Sequence, residues 1–486
     1  MTRNGLTRRK SIDAILRSGE ADGHQLAKTL GPFSLVSLGI GAIVGAGIFV
    51  LTGTAAARYA GPAIMLSFVL AGIVCGFVGL CYAELAAMLP VSGSTYTYTY
   101  ATLGEIFAWM IGWDLILEYA MGAATVAVGW SAYAVSILRD AGIPIPPTLA
   151  AAPGTTVTLA TGATATGIVN LPAALIVAAL TALLALGTQQ SARLNNVMVA
   201  VKLAVVVAFI GIGAFHVRQV HWRPFIPANA GSFGHFGLSG ILRGAAVVFF
   251  AFLGFDAVST AAQEARAPQR DMPFGILGSL VLCTLLYVAV SAVLTGLVPY
   301  GQLDVAAPIA KGVDAIGLAW LAIPVKLGAL AGLTTVVLVL LYAQSRIFFT
   351  MSEDGLLPSM FSRVSPRTRT PYASHFLIGA IVAIVAALTP IGVLGELVSI
   401  GTLFAFILVC GAVLYLRRSD PALPRPFRVP GVPVVPACGI LFCLLLTAGL
   451  PLVTWLRLLI WLVIGLVIYT LYGRRHSALR RPASGG

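Results

Sequence analysis

Gly39-Ile40-Gly41-Ala42-Ile43-Val44-Gly45-Ala46-Gly47-Ile48-Phe49 places four glycines within nine positions of an otherwise apolar run. The run around it, 33–56, is long enough to cross a bilayer as a helix, which takes about 20 apolar residues. Glycine inside a helix is about 1 kcal/mol less favourable than alanine. Two readings follow. The glycines form a small-residue face for close helix packing, or they let the span unwind where its freed backbone faces a cavity rather than lipid. The sixth apolar run offers a counterpart, Phe249-Phe250-Ala251-Phe252-Leu253-Gly254-Phe255-Asp256, ending in a carboxylate at membrane depth. Spans one and six are equivalent members if the chain consists of two five-helix halves. Interrupted helices in matching positions of two halves point to a transporter's midplane site, so the pair favours the broken helix.

The rest of the chain is built for the same solvent. Of 486 residues 58% are hydrophobic and 10% charged, against roughly 25% charged in soluble domains. The apolar segments do not alternate as the strands of a membrane barrel do. Twelve candidate spans fall near 33–56, 62–89, 104–138, 170–188, 195–215, 240–264, 272–299, 318–351, 374–389, 394–416, 432–450 and 453–472. The class is therefore an all-α polytopic membrane protein. The first apolar run is too long for a cleavable signal and follows a polar segment of about 30 residues.

The net charge of +13 sits in short loops and tails, where it reads as topology rather than as a nucleic-acid surface. Arg3, Arg8, Arg9, Lys10, Arg17 and Lys28 precede the first span; Arg474, Arg475, Arg480 and Arg481 follow the last. With an even number of spans, roughly 21 basic residues share the side of the two ends and roughly 6 lie opposite, which places both termini in the cytoplasm. The expected location is a cytoplasmic (inner) membrane, multi-pass. Cys75, Cys81, Cys283, Cys410, Cys438 and Cys443 lie in apolar stretches without metal-ligand spacing and read as packing residues. No metal, cofactor or nucleic-acid partner is expected, and no catalytic constellation of an intramembrane enzyme is present.

Charge at bilayer depth costs at least about 2.5–3.5 kcal/mol, so each instance needs a reason. Lys202 lies within Val201-Lys202-Leu203-Ala204-Val205-Val206-Val207, with no room to be a loop residue. A desolvated lysine can gain and lose a proton near neutral pH, as a coupling group must. The alternatives are a fixed ion pair or snorkelling to the interface. Asp114 and Glu118 are four apart on span three and share a helix face. Small residues after Glu118 leave room for a ligand, so it can line the substrate site, pair with Lys202, or serve as a structural hydrogen-bonding group. Glu84 and Asp256 are candidates for gating or helix packing. Lys326 and Arg457 fall toward the outer ends of their spans, where snorkelling accounts for them.

Several segments in order resemble the amino acid–polyamine–organocation (APC) superfamily, and more narrowly its cationic amino acid transporter family. They are Gly39–Phe49; Ala83-Glu84-Leu85 with Pro90-Val91-Ser92-Gly93-Ser94-Thr95-Tyr96; Trp113-Asp114-Leu115-Ile116-Leu117-Glu118-Tyr119; Phe249–Asp256 leading to Glu264–Pro273; Glu353-Asp354-Gly355-Leu356-Leu357-Pro358; and Arg425-Pro426-Phe427-Arg428-Val429-Pro430. The likeness runs from about Leu30 to about Tyr472. It departs at Ala262-Gln263-Glu264, where two acidic residues are expected, and at Ala267, where asparagine is.

The resemblance implies twelve transmembrane helices as a five-plus-five inverted repeat with two additional C-terminal helices. The chain then divides into a cytoplasmic segment 1–30, a first repeat 31–216, a second 239–416, two accessory helices 431–472 and a tail 473–486. It implies a substrate carboxylate on amides near Gly45, Ala46 and Gly47, as helix N-termini favour anions. The substrate ammonium would meet carbonyls of Ile43, Phe250, Ala251 and Leu253. Phe250 would close over the cargo from outside, and Gly332-Leu333-Thr334-Thr335 would border its side chain. Lys202 would occupy the place of a sodium ion in sodium-driven relatives, making a proton symporter.

Three functions remain open on sequence: a proton-coupled amino acid importer working by alternating access, an exchanger of amino acids or polyamines without net proton movement, and a membrane sensor on a transporter scaffold. Lys202 favours the first. The short tails speak against the third. Expected partners are an amino acid, a proton and the lipid bilayer, with the chain a monomer or weak homodimer; small neutral amino acids such as alanine are the favoured cargo.

Overall fold

The first apolar run does not form one helix. α1 (Pro32–Ile43) starts with proline in its first turn, where the missing N–H removes no helical bond. It stops at Val44, whose ψ of 95° leaves the helical region. Helix resumes at Gly47–Leu51 in wide π-type turns and continues to Ala60. This computed structural model describes residues 10, 30–45, 47–90, 94–159, 162–186, 191–305, 307–363 and 371–480. Ala46, and the basic residues Arg3, Arg8, Arg9, Arg17, Lys28, Arg367, Arg369 and Arg481, lie outside the described residues.

The remaining elements follow in order. α2 (Ile64–Met88) leads to the short helix α3 (Ser94–Thr102) and to α4 (Glu105–Asp140). α5 (Leu171–Leu186) and α6 (Ser191–Ala214) complete the first half. α7 (Gly237–Val248) opens span six, which continues through a tight turn, Phe249–Phe252, and 3₁₀ turns, Asp256–Glu264. α8 (Pro268–Leu297), α9 (Pro308–Ile316), α10 (Ala319–Glu353), α11 (Tyr372–Leu388) and α12 (Ile391–Ser419) follow, then α13 (Val434–Ala448) and α14 (Leu452–Ile468). Eight of the described helical stretches are long and apolar enough to cross a membrane, and four shorter apolar helices accompany them. The chain is thus an all-α polytopic membrane protein, its spans within a few residues of those read from the sequence. A small hairpin, Thr156–Thr158 paired antiparallel with Thr164–Thr166, decorates the loop between α4 and α5.

Packing sorts the spans into two groups around span one. α2 and α8 lie side by side, with α1 against α8; α4 pairs with α10 and α12, and α5 with α11. Large apolar side chains such as Leu175, Val281, Leu285, Ile384, Leu459 and Ile460 point outward, as expected where lipid is the solvent. α14 is zipped to α4 by indoles: Trp113 and Trp461 stack at 4.6 Å, and each indole N–H donates to the other residue's carbonyl, at 2.8 and 3.0 Å. Trp109 adds a bond to Gly465 O at 2.8 Å.

Span two is pinned at its end by Glu84, which is 2% exposed. Arg417 grips it with two bonds, Nε to Oε1 at 3.0 Å and Nη2 to Oε2 at 2.7 Å, and the Val429 amide donates to Oε2 at 2.7 Å. Arg425 Nε stands 3.3 Å from Oε1, while its other nitrogens cap the carbonyls of Leu416, Asp420, Pro421 and Leu423. Glu84 is a packing carboxylate here, tying α2 to α12 and to the loop before α13. Lys326 corrects the snorkelling expectation: its amine pairs with Asp140 at 2.7 Å, at the end of α4. The span-three residue needed to see this lies 186 positions away.

Candidate functional site

The two interrupted spans meet at their breaks. A side chain at Gly47 would strike Ala251 Cα at 2.2 Å, so only glycine allows the backbones to approach this closely. Across the contact, Gly254 adopts φ of +104° and faces Ala42, whose carbonyl a side chain there would meet at 3.0 Å. Leu253 precedes it with ψ of 133°, outside helix geometry. The sequence-predicted residues Ile43, Gly45, Gly47, Phe250, Ala251 and Leu253 are therefore brought together, all buried; Ala46 lies outside the described residues.

Breaking two helices strands carbonyls that need donors. Lys202 on α6 is fully buried. Its Nζ donates to Gly41 O and, at 3.0 Å, to Val44 O, the last carbonyls before the break. Its stem crosses Gly332 on α10, where an added methyl would meet Cδ at 3.2 Å. Among the described residues no carboxylate pairs with this amine, and the charged neighbours of Glu118 are Asp256 and Asp114. The reading in which Glu118 pairs with Lys202 is thus not the arrangement found.

A second donor comes from a residue that the sequence did not single out. Tyr287 on α8 sends its hydroxyl to Ile43 O at 2.8 Å and Ala251 O at 2.6 Å, one from each broken span. Its ring is packed by Phe68 and Phe252 at 5.3 Å each. A tyrosine inside an apolar run reads as packing, and only the fold reveals what its hydroxyl reaches. Tyr133 of α4 likewise donates to Phe49 O at 2.8 Å. Phe250 O is met by the amide of Leu253 at 3.0 Å. Removing the hydroxyl with Tyr287→Phe leaves two buried carbonyls short of a donor. The expected loss is about 1.4 kcal/mol, or roughly tenfold in kcat/KM for transport, with little change in folding yield; initial-rate uptake against cargo concentration checks it.

Below the breaks the surroundings change character. Gly45 faces Val336 on α10, which an added methyl would approach to 3.1 Å, and Gly122 on α4 faces Leu253 and Leu340. Glu118, one turn before Gly122, neighbours Asp256 and Asp114. Asp256 accepts the Tyr119 hydroxyl at 2.8 Å. Neither carboxylate oxygen of Asp114 or Glu118 has a hydrogen bond, and the single proton of nearby Thr402 goes to Val398 O. Of the segment 332–335, Gly332 contacts Lys202 and Phe49, while Thr334 receives the Trp130 indole at 2.9 Å. Among the described residues no group of His, Cys, Asp or Glu converges as a metal site would.

The sequence has relatives among known proteins. Residues 30–472 match the model of a family described as amino acid permease. The chain is 49% identical over 475 residues to the branched-chain amino acid permease BcaP of Bacillus subtilis (strain 168), covering 98% of this chain and 99% of that protein. It is 44% identical over 478 residues to the methylthioribose transporter of the same organism, covering 98% and 100%. With cationic amino acid transporter 4, vacuolar, of Arabidopsis thaliana it shares 38% identity over 421 residues, 86% of this chain and 68% of that protein.

Proposed function

The chain belongs to the amino acid permease family, and from that premise we propose that it imports neutral amino acids by proton symport, with Lys202 as the coupling group. The observation that carries this reading is the buried amine of Lys202 on the carbonyls of Gly41 and Val44 at the break of span one. A charged donor there forms bonds roughly twice as strong as a neutral one. Gain and loss of the proton therefore change how firmly the end of α1 is held, and with it the cargo's backbone subsite. Coupling requires such a difference in affinity between protonation states. Cargo and proton enter from outside, Phe250 closes above them, and the bundle rocks until the cytoplasmic side opens.

The cargo's side chain would lie against Val336, Leu253 and Leu340, an apolar wall beside the breaks. That wall suits alanine or a branched aliphatic chain, in keeping with a branched-chain permease among the relatives. The same reading retains the inverted halves 31–216 and 239–416, the accessory pair 431–472, and both termini in the cytoplasm.

The test is uptake of radiolabelled alanine, leucine and arginine into sodium-free proteoliposomes with and without an inward proton gradient. One pH unit is worth about 1.4 kcal/mol and supports about tenfold accumulation at one proton per amino acid. Leucine and alanine should reach that ratio and lose it with an uncoupler. Uptake that ignores the gradient but needs internal amino acid would make the protein an exchanger; preference for arginine would reject the apolar wall as the selecting surface.

A further inference from the structure

The chain beyond α14 does not leave the protein. Tyr469, fully buried, donates to Glu105 Oε1 at 2.7 Å, and Ser477, also fully buried, donates to Oε2 of the same carboxylate at 2.5 Å. The next amide, Ala478 N, bonds Asp354 O at the end of α10 at 2.9 Å. Tyr469 belongs to the buried core, its ring 5.8 Å from that of Trp109, whereas the stretch after it is seated through the Ser477 hydroxyl and the Ala478 amide, with exposed Arg474–His476 between. Glu105 opens α4, and Asp354 closes α10; those two helices form one wall of the site. Both anchors also hold α3: Tyr100 reaches Glu105 Oε2 at 3.4 Å, and Tyr96 donates to Asp354 Oδ2 at 2.7 Å. Lys10 adds its amine to Asp354 Oδ1 at 3.1 Å.

α3 matters because of what it touches. It packs on α4, on α12 and on the 256–264 stretch of span six, which is the half of that span on the face carrying both chain ends. Opening a path on this face requires the 256–264 stretch to part from α3 and α4. We propose that residues 474–480, anchored behind the buried Tyr469, are a strap that brakes this opening: seated, they lock α3 to the ends of α4 and α10, and unseated, they let the mouth on the chain-end face open more often. The seat is shaped for the strap. Gly355 has φ of +75°, and a methyl on it would lie 2.2 Å from His476 O, so a side chain at 355 and a seated strap exclude each other.

Two substitutions in the whole chain, Ser477→Ala and Gly355→Ala, and a deletion of 474–486 test the strap. Opening is read by maleimide labelling of Ala262→Cys in detergent, at a site on span six that is fully buried when closed; this readout needs no cargo and no assumed orientation. Loss of one charge-assisted hydrogen bond predicts labelling about tenfold faster than in the Ala262→Cys parent, with faster release of preloaded label from proteoliposomes. Ser477→Ala removes one hydroxyl, so it decides the matter if the deletion misfolds. Unchanged or slower labelling in monodisperse Ser477→Ala and Gly355→Ala protein overturns the brake and leaves the strap a folding element. Failure of proton-driven uptake leaves this test untouched, because the label reports the mouth alone.

Discussion

Lys202→Ala is expected to abolish proton-driven accumulation while exchange of internal for external amino acid persists at a reduced rate. The amine serves two carbonyls of span one, Gly41 O and Val44 O. Each buried acceptor left without a donor costs about 1–3 kcal/mol. Alanine also empties the space beside Gly332 that the lysine stem fills. Lys202→Met separates the two effects by keeping the stem and removing the charge. If coupling is the role, methionine fails like alanine: the accumulation ratio falls from about tenfold per pH unit to the level without a gradient. If the lysine is only a structural donor, both variants lose affinity in proportion and still concentrate cargo when the gradient is imposed. Ratio at steady state, rather than initial rate, is the quantity to measure, since it depends on stoichiometry and not on turnover.

The largest effect on folding is expected at Glu84. Glu84→Ala leaves Arg417 and Arg425 facing each other without the carboxylate that both approach, and strips the acceptor from the Val429 amide. Removing one partner of a buried pair typically costs about 3–5 kcal/mol. Arg417 is partly exposed and recovers some hydration, whereas the Arg425 side chain is 3% exposed and cannot. Thermal unfolding of the detergent-solubilised protein should shift down, with membrane yield falling in step. The double variant Glu84→Ala/Arg417→Ala should lose less than the sum of the singles, because it removes one of the orphaned charges. Additive losses would mean that the grip of Arg417 on Glu84 contributes nothing to the tie between α2 and α12.

What the sequence made legible were features written in consecutive residues. The apolar runs marked the spans, and the glycines at 39–47 with Gly254 marked the two breaks, because close approach and positive φ leave few alternatives to glycine. Lys202 stood out because a cation within Val201–Val207 has no room to be a loop residue, although a fixed ion pair or snorkelling also stood open. Residues whose roles depend on partners far along the chain were not legible. Tyr287 looks like any aromatic in an apolar helix until α1 and span six bring their carbonyls to it. Lys326 looked like a snorkelling side chain until α4 placed Asp140 beside it. The strap looked like a basic tail, since Ser477 and Glu105 are 372 positions apart. Glu118 lies between the two cases: its helix face was evident, but its neighbour Asp256 was not.

The Tyr287 hydroxyl has one hydrogen and two suitors, Ile43 O and Ala251 O, on different spans. One hydrogen shared between two acceptors serves them less fully than two separate donors would. An ammonium group carries three donors. If the cargo's ammonium lies between the breaks, as proposed, it offers a donor to each carbonyl. A hydroxy acid of the same shape brings a single hydrogen and leaves one carbonyl still waiting. The proposed preference for an amine then follows from the number of donors two carbonyls can use, with no carboxylate needed to attract the cation.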